Sequence, residues 1–261
     1  MHAVLLVLAM VAYALPVAAR LVGRPLRHHN ALVLAGIALH LGGLLALWIA
    51  NGAILVSSLT EGLASVALLV ACGTLPFLRQ PRMSVVTDSL LACATLLLVA
   101  ASGAHGVKSE AAEMPLWFLV LHVSLIFVGL AGFAISFCLS LLFLVLRRRL
   151  KRKELQGLQD LPALDTIDAL NFRAMVAGFV TISAGALIGG VWAWLHGFEG
   201  DVTVWATLLV WLWYAVGLQG RVIGGWRGRF AALFGVVGFA GVAVVLATLG
   251  AMFGGWHGMG A

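Results

Sequence analysis

The sequence predicts an all-α, polytopic membrane protein with eight transmembrane helices and both termini on the external, periplasmic side. Three observations carry this. The first is composition: of 261 residues, 62% are hydrophobic and 10% charged, too few polar groups to cover the surface of a soluble domain. The second is length, which accommodates about eight spans of roughly 20 residues each with short connections. The third is the distribution of cations. Fifteen of the sixteen Lys and Arg residues fall in one alternate set of loops, and only Lys108 falls in the other. That is the positive-inside pattern of a multi-pass protein of the bacterial inner (plasma) membrane.

Uninterrupted apolar runs place the spans near residues 3–20, 30–50, 54–78, 86–104, 114–146, 174–195, 202–220 and 230–253, in a single integral-membrane domain over 1–261. Arg20, Arg24 and Arg27 close the first span inside, and Asn51–Gly52 turns outside. Arg79 and Arg82 mark the next inside connection; the stretch carrying Glu110 and Glu113 lies outside. The run Arg147–Lys153 and the acidic segment Glu154–Asp168 form the longest cytoplasmic connection. His196–Asp201 turns outside, Arg221–Arg229 inside, and the tail ends outside. The fifth span, 33 residues long, reaches roughly 50 Å at about 1.5 Å per residue, so it tilts or projects beyond the bilayer.

The net charge of +6 lines the cytoplasmic edge of the bilayer, so membrane lipid headgroups are its partner and no nucleic acid is. Met1–Ala19 is apolar but has no basic leader before it, which predicts a retained first helix rather than a signal peptide. Cys72, Cys93 and Cys138 all lie within apolar stretches and form no CxxC, which speaks against thiol–disulfide exchange.

Ionisable residues inside spans are costly and mark candidate sites. His40 lies in the middle of the second span, and His122 in the outer part of the fifth, five residues after Trp117. His196 and His257 cap the sixth and eighth spans outside, while His28 and His29 sit among the cytoplasmic arginines. Imidazole ligates both metals and haem, yet a membrane histidine also serves as a hydrogen-bonded packing residue, and residue type leaves the two open. Trp48, Trp117, Trp192, Trp194, Trp205 and Trp256 all fall at outer helix ends. They form either an interfacial belt or an external platform for a flat macrocycle. Glu61 is the one carboxylate that this reading embeds. It serves as a relay or ligand-orienting group, or it turns back to water at the interface.

Three stretches together resemble the cytochrome c assembly family of haem-handling membrane proteins. They are Leu161-Pro-Ala-Leu-Asp-Thr-Ile-Asp-Ala-Leu-Asn-Phe-Arg173 with Gly178-Phe179 and Gly190-Val-Trp-Ala193; Trp211-Leu-Trp-Tyr214 running through Arg221 to Gly225-Trp-Arg-Gly-Arg229; and Trp117 with Leu121-His122-Val123. The resemblance covers residues 115–257 and is nearest to the HemX-like, YpjD-type branch of small eight-helix members. It implies that His122 and His257 ligate haem iron on the external side and that His40 corresponds to a transmembrane haem-ligating histidine. It further implies haem b as the cofactor, within a cavity lined by Trp117, Trp192, Trp194, Trp205 and Trp256.

The chain departs from the family's synthases in two places. Their external WxWDPKE segment is replaced by the shorter stretch Trp192–Trp205, and a seventh-span histidine by Gln219. The expectation is therefore haem binding, transfer or regulation in cytochrome c assembly, alongside other assembly or membrane proteins, with no catalytic residue assigned. Two other classes stay open. One is a transporter of a small molecule or ion, with Glu61, His40 and Gln219 lining its path; the other is a cofactor-free accessory subunit of a membrane complex.

Overall fold

Inside a bilayer no water satisfies backbone N–H and C=O groups, so apolar runs of this length fold as helices. The computed structural model describes residues 2–24, 26–51, 58–104, 115–154, 161–195 and 202–256, with backbone alone for 202–203 and 246–256. The described residues form α1 (His2–Leu21), α2 (His29–Asn51), α3 (Leu59–Cys72), α4 (Ser84–Gly103), α5 (Leu116–Lys151), α6 (Leu164–Leu195), α7 (Val202–Val222) and α8 (Arg229–Trp256). Two 3-10 turns, Leu75–Phe77 and Pro81–Met83, join α3 to α4. Among the described residues six helices, α1 to α6, are long and apolar enough to cross a membrane, and Arg229–Val245 is a shorter apolar helix.

Two boundaries differ from the sequence expectation, for identifiable reasons. The third helix stops at Cys72 rather than near 78, because Pro76 and Pro81 enforce 3-10 turns where an α-helix would continue. The sixth begins at Leu164, ten residues before the expected start at 174. Asp165 favours the positive end of the helix dipole, while Ile167 and Asn171 are buried, so the segment 164–173 joins the helix instead of the loop. The fifth helix is 36 residues long and the sixth 32, about 54 and 48 Å of rise.

The chain divides into two compact units, Met1–Ala112 and Glu113–Ala261. In the first, α1 packs on α2 and α4, and α3 packs on α4. Close approach of α1 and α2 depends on Gly36 and Gly43: β-carbons there would fall 2.9 Å from Tyr13 Cδ1 and 2.9 Å from Leu6 Cδ2. Hydrogen bonds between elements complete the unit. Asn30 Nδ2 donates to the Leu78 carbonyl (2.8 Å), and Thr60 Oγ1 to that of Ala104 (2.8 Å).

In the second unit α5 and α6 run in backbone contact, and α8 packs on α5 and α7. A β-carbon on Gly132 would sit 2.7 Å from the Gly178 Cα, and one on Gly178 2.9 Å from the Gly129 carbonyl. These small residues permit the van der Waals contact that drives helix association in lipid. Above this seam Phe133 stacks on Tyr214 of α7 with centroids 3.5 Å apart, within a core of Met175, Ile182 and Val242. A polar chain crosses the interface too: Ser136 Oγ donates to Asn171 Oδ1 (2.5 Å), and Asn171 Nδ2 donates to Ser140 Oγ (2.9 Å). The Gly225-Trp-Arg-Gly-Arg229 segment is the turn from α7 to α8. Both of its glycines have positive φ, 65° and 63°, a conformation only glycine adopts without strain. Trp226 folds back over Gly220 and meets Phe230 edge-on.

Candidate functional site

His122 lies on α5 two turns from the N-terminal end of the helix, half-buried against α6. Its Nδ1 is 2.8 Å from the Gly185 carbonyl oxygen. A carbonyl only accepts, so Nδ1 carries the proton and the lone pair of the neutral ring resides on Nε2. This is how ligating histidines are oriented in metal and haem sites: one nitrogen is fixed by the protein and the other is left for the iron. The ring occupies a notch on α6 that exists because residue 189 has no side chain. A β-carbon on Gly189 would collide with Cε1 and lie 2.8 Å from Nδ1. One turn toward the helix start, Phe118 meets Trp192 of α6 at 5.1 Å between centroids and Trp117 at 5.6 Å. An imidazole held through Nδ1, one turn from three large aromatic rings, has a composition that suits a flat, apolar macrocycle.

Of the expected aromatic residues, Trp117 and Trp192 join this cluster. Trp194 and Trp205 are 82% and 63% exposed and turn away from the core of their unit. Trp256 has a helical backbone only. His257 and His196 lie outside the described residues, so the expected pairing of His122 with His257 falls there too. Gln219 is exposed on α7, a poor position for a residue lining the core of its unit.

The first unit holds the third expected ligand. His40 is fully buried, and Tyr13 Oη of α1 is 3.3 Å from its Nδ1. The ring also meets the backbone of Ala64 on α3, so it is enclosed by three helices. Glu61 is also fully buried, and Asn51 Nδ2 donates to its Oε1 at 2.5 Å. The reading in which Glu61 turns back to water is therefore incorrect: the Ser58 hydroxyl accepts from the Glu61 N–H and starts α3 there, which draws the side chain inward.

Glu61 is not the one embedded carboxylate either. Asp88, one turn into α4, is 4% exposed. Arg20 of α1 donates to its Oδ2 through Nε, and His29 Nε2 of α2 is 2.8 Å from its Oδ1. One carboxylate thus joins three helices, and His29 is a structural partner rather than a loose interfacial residue. The sequence signal was present in the placement of Asp88 just inside the fourth span, at the end where Arg20 leaves the first. In the second unit, Arg221 forks onto Asp168 (2.7 and 3.2 Å) and places its guanidinium 4.9 Å from the centre of the Phe172 ring. Among the described residues, no three His, Cys, Asp or Glu side chains converge as a metal-ion site. Cys72 ends α3, and Cys93 and Cys138 are buried within α4 and α5.

Comparison with known proteins supplies the family. The chain is 32% identical over 152 residues to a cytochrome c biogenesis protein CcsA of Synechococcus sp. (strain CC9902), covering 49% of this chain and 50% of that protein. It is 30% identical over 212 residues to CcsA of Chlamydomonas reinhardtii, covering 75% and 58%. With CcsA of Prochlorococcus marinus (strain MIT 9312) it shares 27% over 239 residues, covering 80% and 76%. The chain thus spans about half the length of the first two of these relatives. The family model described as Cytochrome C assembly protein matches residues 1–257, well beyond the region 115–257 that carried the resemblance. This chain belongs to the cytochrome c assembly protein family.

Proposed function

We propose that this protein handles haem in cytochrome c assembly, presenting it on the external face of a bacterial inner membrane through His122 and His257. The observation that carries this reading is the Gly185 carbonyl bond to His122 Nδ1, which leaves Nε2 of a half-buried ring ready to donate to iron. Family membership supplies the context, since the relatives carry the name of cytochrome c biogenesis proteins. In this reading all eight helices span the membrane with both termini external, as the fifteen-to-one cation distribution supports. The chain is of the HemX-like, YpjD-type branch, and its haem is haem b. His40, enclosed between Tyr13 and the backbone of Ala64, provides a second contact within the membrane. Here the residues would bind and orient: the two external histidines would donate to the iron, and Trp117, Phe118 and Trp192 would offer apolar surface to the macrocycle. Lacking the WxWDPKE segment, the chain passes haem on or senses it rather than attaching it.

Absorption spectra of the purified protein from haem-replete cells test this. A Soret band is expected, lost or shifted in His122→Ala and His257→Ala by a drop in affinity of about 100-fold or more, reduced in His40→Ala, and unchanged in Gln219→Ala. A carboxamide has no lone pair comparable to that of imidazole for iron. Complete absence of haem from every preparation would instead favour the cofactor-free accessory role.

A further inference from the structure

The basic end of the first unit contains a cavity that haem handling does not use. It measures about 490 Å³ and lies between the α1–α2 turn and the two 3-10 turns that precede α4. Arg20, Arg27, His28, His29, Asn30, Gln80, Ser84 and Thr87 provide its polar wall; Leu26, Phe77, Leu78 and Pro81 provide an apolar one.

We infer that this cavity is a binding site for the phosphate of an anionic phospholipid headgroup. Four features of the cavity converge on that chemistry. Arg27 and His28 are exposed and neither takes part in the Asp88 cluster. Arg20 gives Asp88 only its Nε–H, so its terminal amino groups are donors that this bond does not consume. The first turns of α2 and α4 both border the cavity, which sets the positive ends of two helix dipoles beside an incoming anion. The walls are held in place before any ligand arrives: Asn30 bonds the Leu78 carbonyl, Gln80 bonds that of Pro76, and Asp88 ties α1, α2 and α4.

Depth selects the source of the phosphate. The cavity sits at the ends of four candidate spans, the level at which headgroups lie, and basic pockets between transmembrane helices on the positive side are a general form of headgroup recognition. A free phosphate would use the polar wall alone; the apolar wall suits the glycerol and first methylenes of an amphiphile. This site is independent of the haem reading and stands or falls separately from it.

The test uses the full-length protein in neutral detergent, with retained lipid counted by native mass spectrometry after delipidation and titration with phosphatidylglycerol or phosphatidylcholine. The expected result is one phosphatidylglycerol retained per chain in preference to phosphatidylcholine. Arg27→Gln and His28→Gln should each weaken it, the arginine variant by about fivefold. Arg24→Gln and Arg82→Gln, cations of the same two turns that do not line the cavity, should leave it unchanged. Thermal unfolding without lipid should match the parent in all four, because none of these residues holds the fold. An equal response to both lipids, or equal losses in the lining and non-lining variants, would reduce the effect to diffuse surface attraction and overturn the site. Saturation by inorganic phosphate with no lipid retained would overturn the lipid as its occupant.

Discussion

The two units hold their helices together by different means. In the first, helices meet through buried polar groups: Asp88 with Arg20 and His29, Glu61 with Asn51, and His40 with Tyr13. In the second, α5 and α6 meet backbone to backbone along Gly129, Gly132 and Gly178, with stacked aromatic rings above and one short amide–hydroxyl chain, and the Arg221–Asp168 pair ties α7 to α6. Hydrogen bonds between membrane helices contribute only about 0.6 kcal/mol each on average, so several polar contacts in one unit do the work of one continuous packed seam in the other. The histidines follow the same division. His40 is enclosed between Tyr13 and the backbone of Ala64, whereas His122 rests half-buried on a glycine notch with Nδ1 fixed by the Gly185 carbonyl.

The largest effect should come from the carboxylate that joins three helices. Asp88→Ala strands the Arg20 guanidinium and His29 at once. We expect a loss of about 2–3 kcal/mol, below the figure for a wholly buried pair because the Arg20 side chain is 36% exposed. Detergent-denaturant unfolding measures it. Arg20→Gln should cost less, since Asp88 keeps His29. If Asp88→Ala were as stable as the parent, the first unit would not depend on its polar contacts and the contrast between units would fail.

Next in size is the glycine seam. Gly132→Val places carbon atoms on the Gly178 backbone and the Ala174 carbonyl, and backbone yields far less readily than a side-chain tip. The expected cost is about 2 kcal/mol, read by the same unfolding measurement. Gly103→Val should be close to neutral, because a β-carbon there meets nothing within 4 Å. Equal effects at the two positions would mean that helix propensity, not interhelical approach, sets the loss.

Much of this arrangement was legible in the sequence, and the remainder was hidden for physical reasons. Apolar runs located the eight helices of the described residues, six of them long and apolar enough to cross a membrane, because in lipid a long apolar segment has no alternative to a helix. They missed the early start of α6: residues 164–173 are amphipathic, and only contact with Ser136 and Ser140 on α5 shows that Asn171 faces inward. Glu61 stood out as an embedded carboxylate, but its direction depends on the Ser58 cap and on Asn51, ten residues earlier. Asp88 was overlooked because its partners are 68 and 59 residues away, and a single sequence does not display such pairings. His122 was named from the motif around it, whereas the two glycines that orient it look like any of the 31 in the chain.

Those two glycines allow the smallest and most specific test. Gly189→Ala inserts a methyl group into the space that the His122 ring occupies. The ring must swing off its notch, which breaks the bond to the Gly185 carbonyl and frees the tautomer. Loss of such an orienting contact weakens metal-site affinity by about 10-fold or somewhat more, so the haem titration curve should move by that factor and the Soret maximum should shift. Gly190→Ala is the matched control: it adds the same methyl group one residue on, where nothing lies within 4 Å, and alanine raises helix propensity equally at both sites. The two variants should unfold alike and differ only in haem. In His122→Ala, adding Gly189→Ala should change haem affinity no further, because the two act through one ring. An additive loss in the double variant would show that Gly189 contributes by general packing of α5 on α6, and the contrast between a presented and an enclosed histidine would then rest on burial alone.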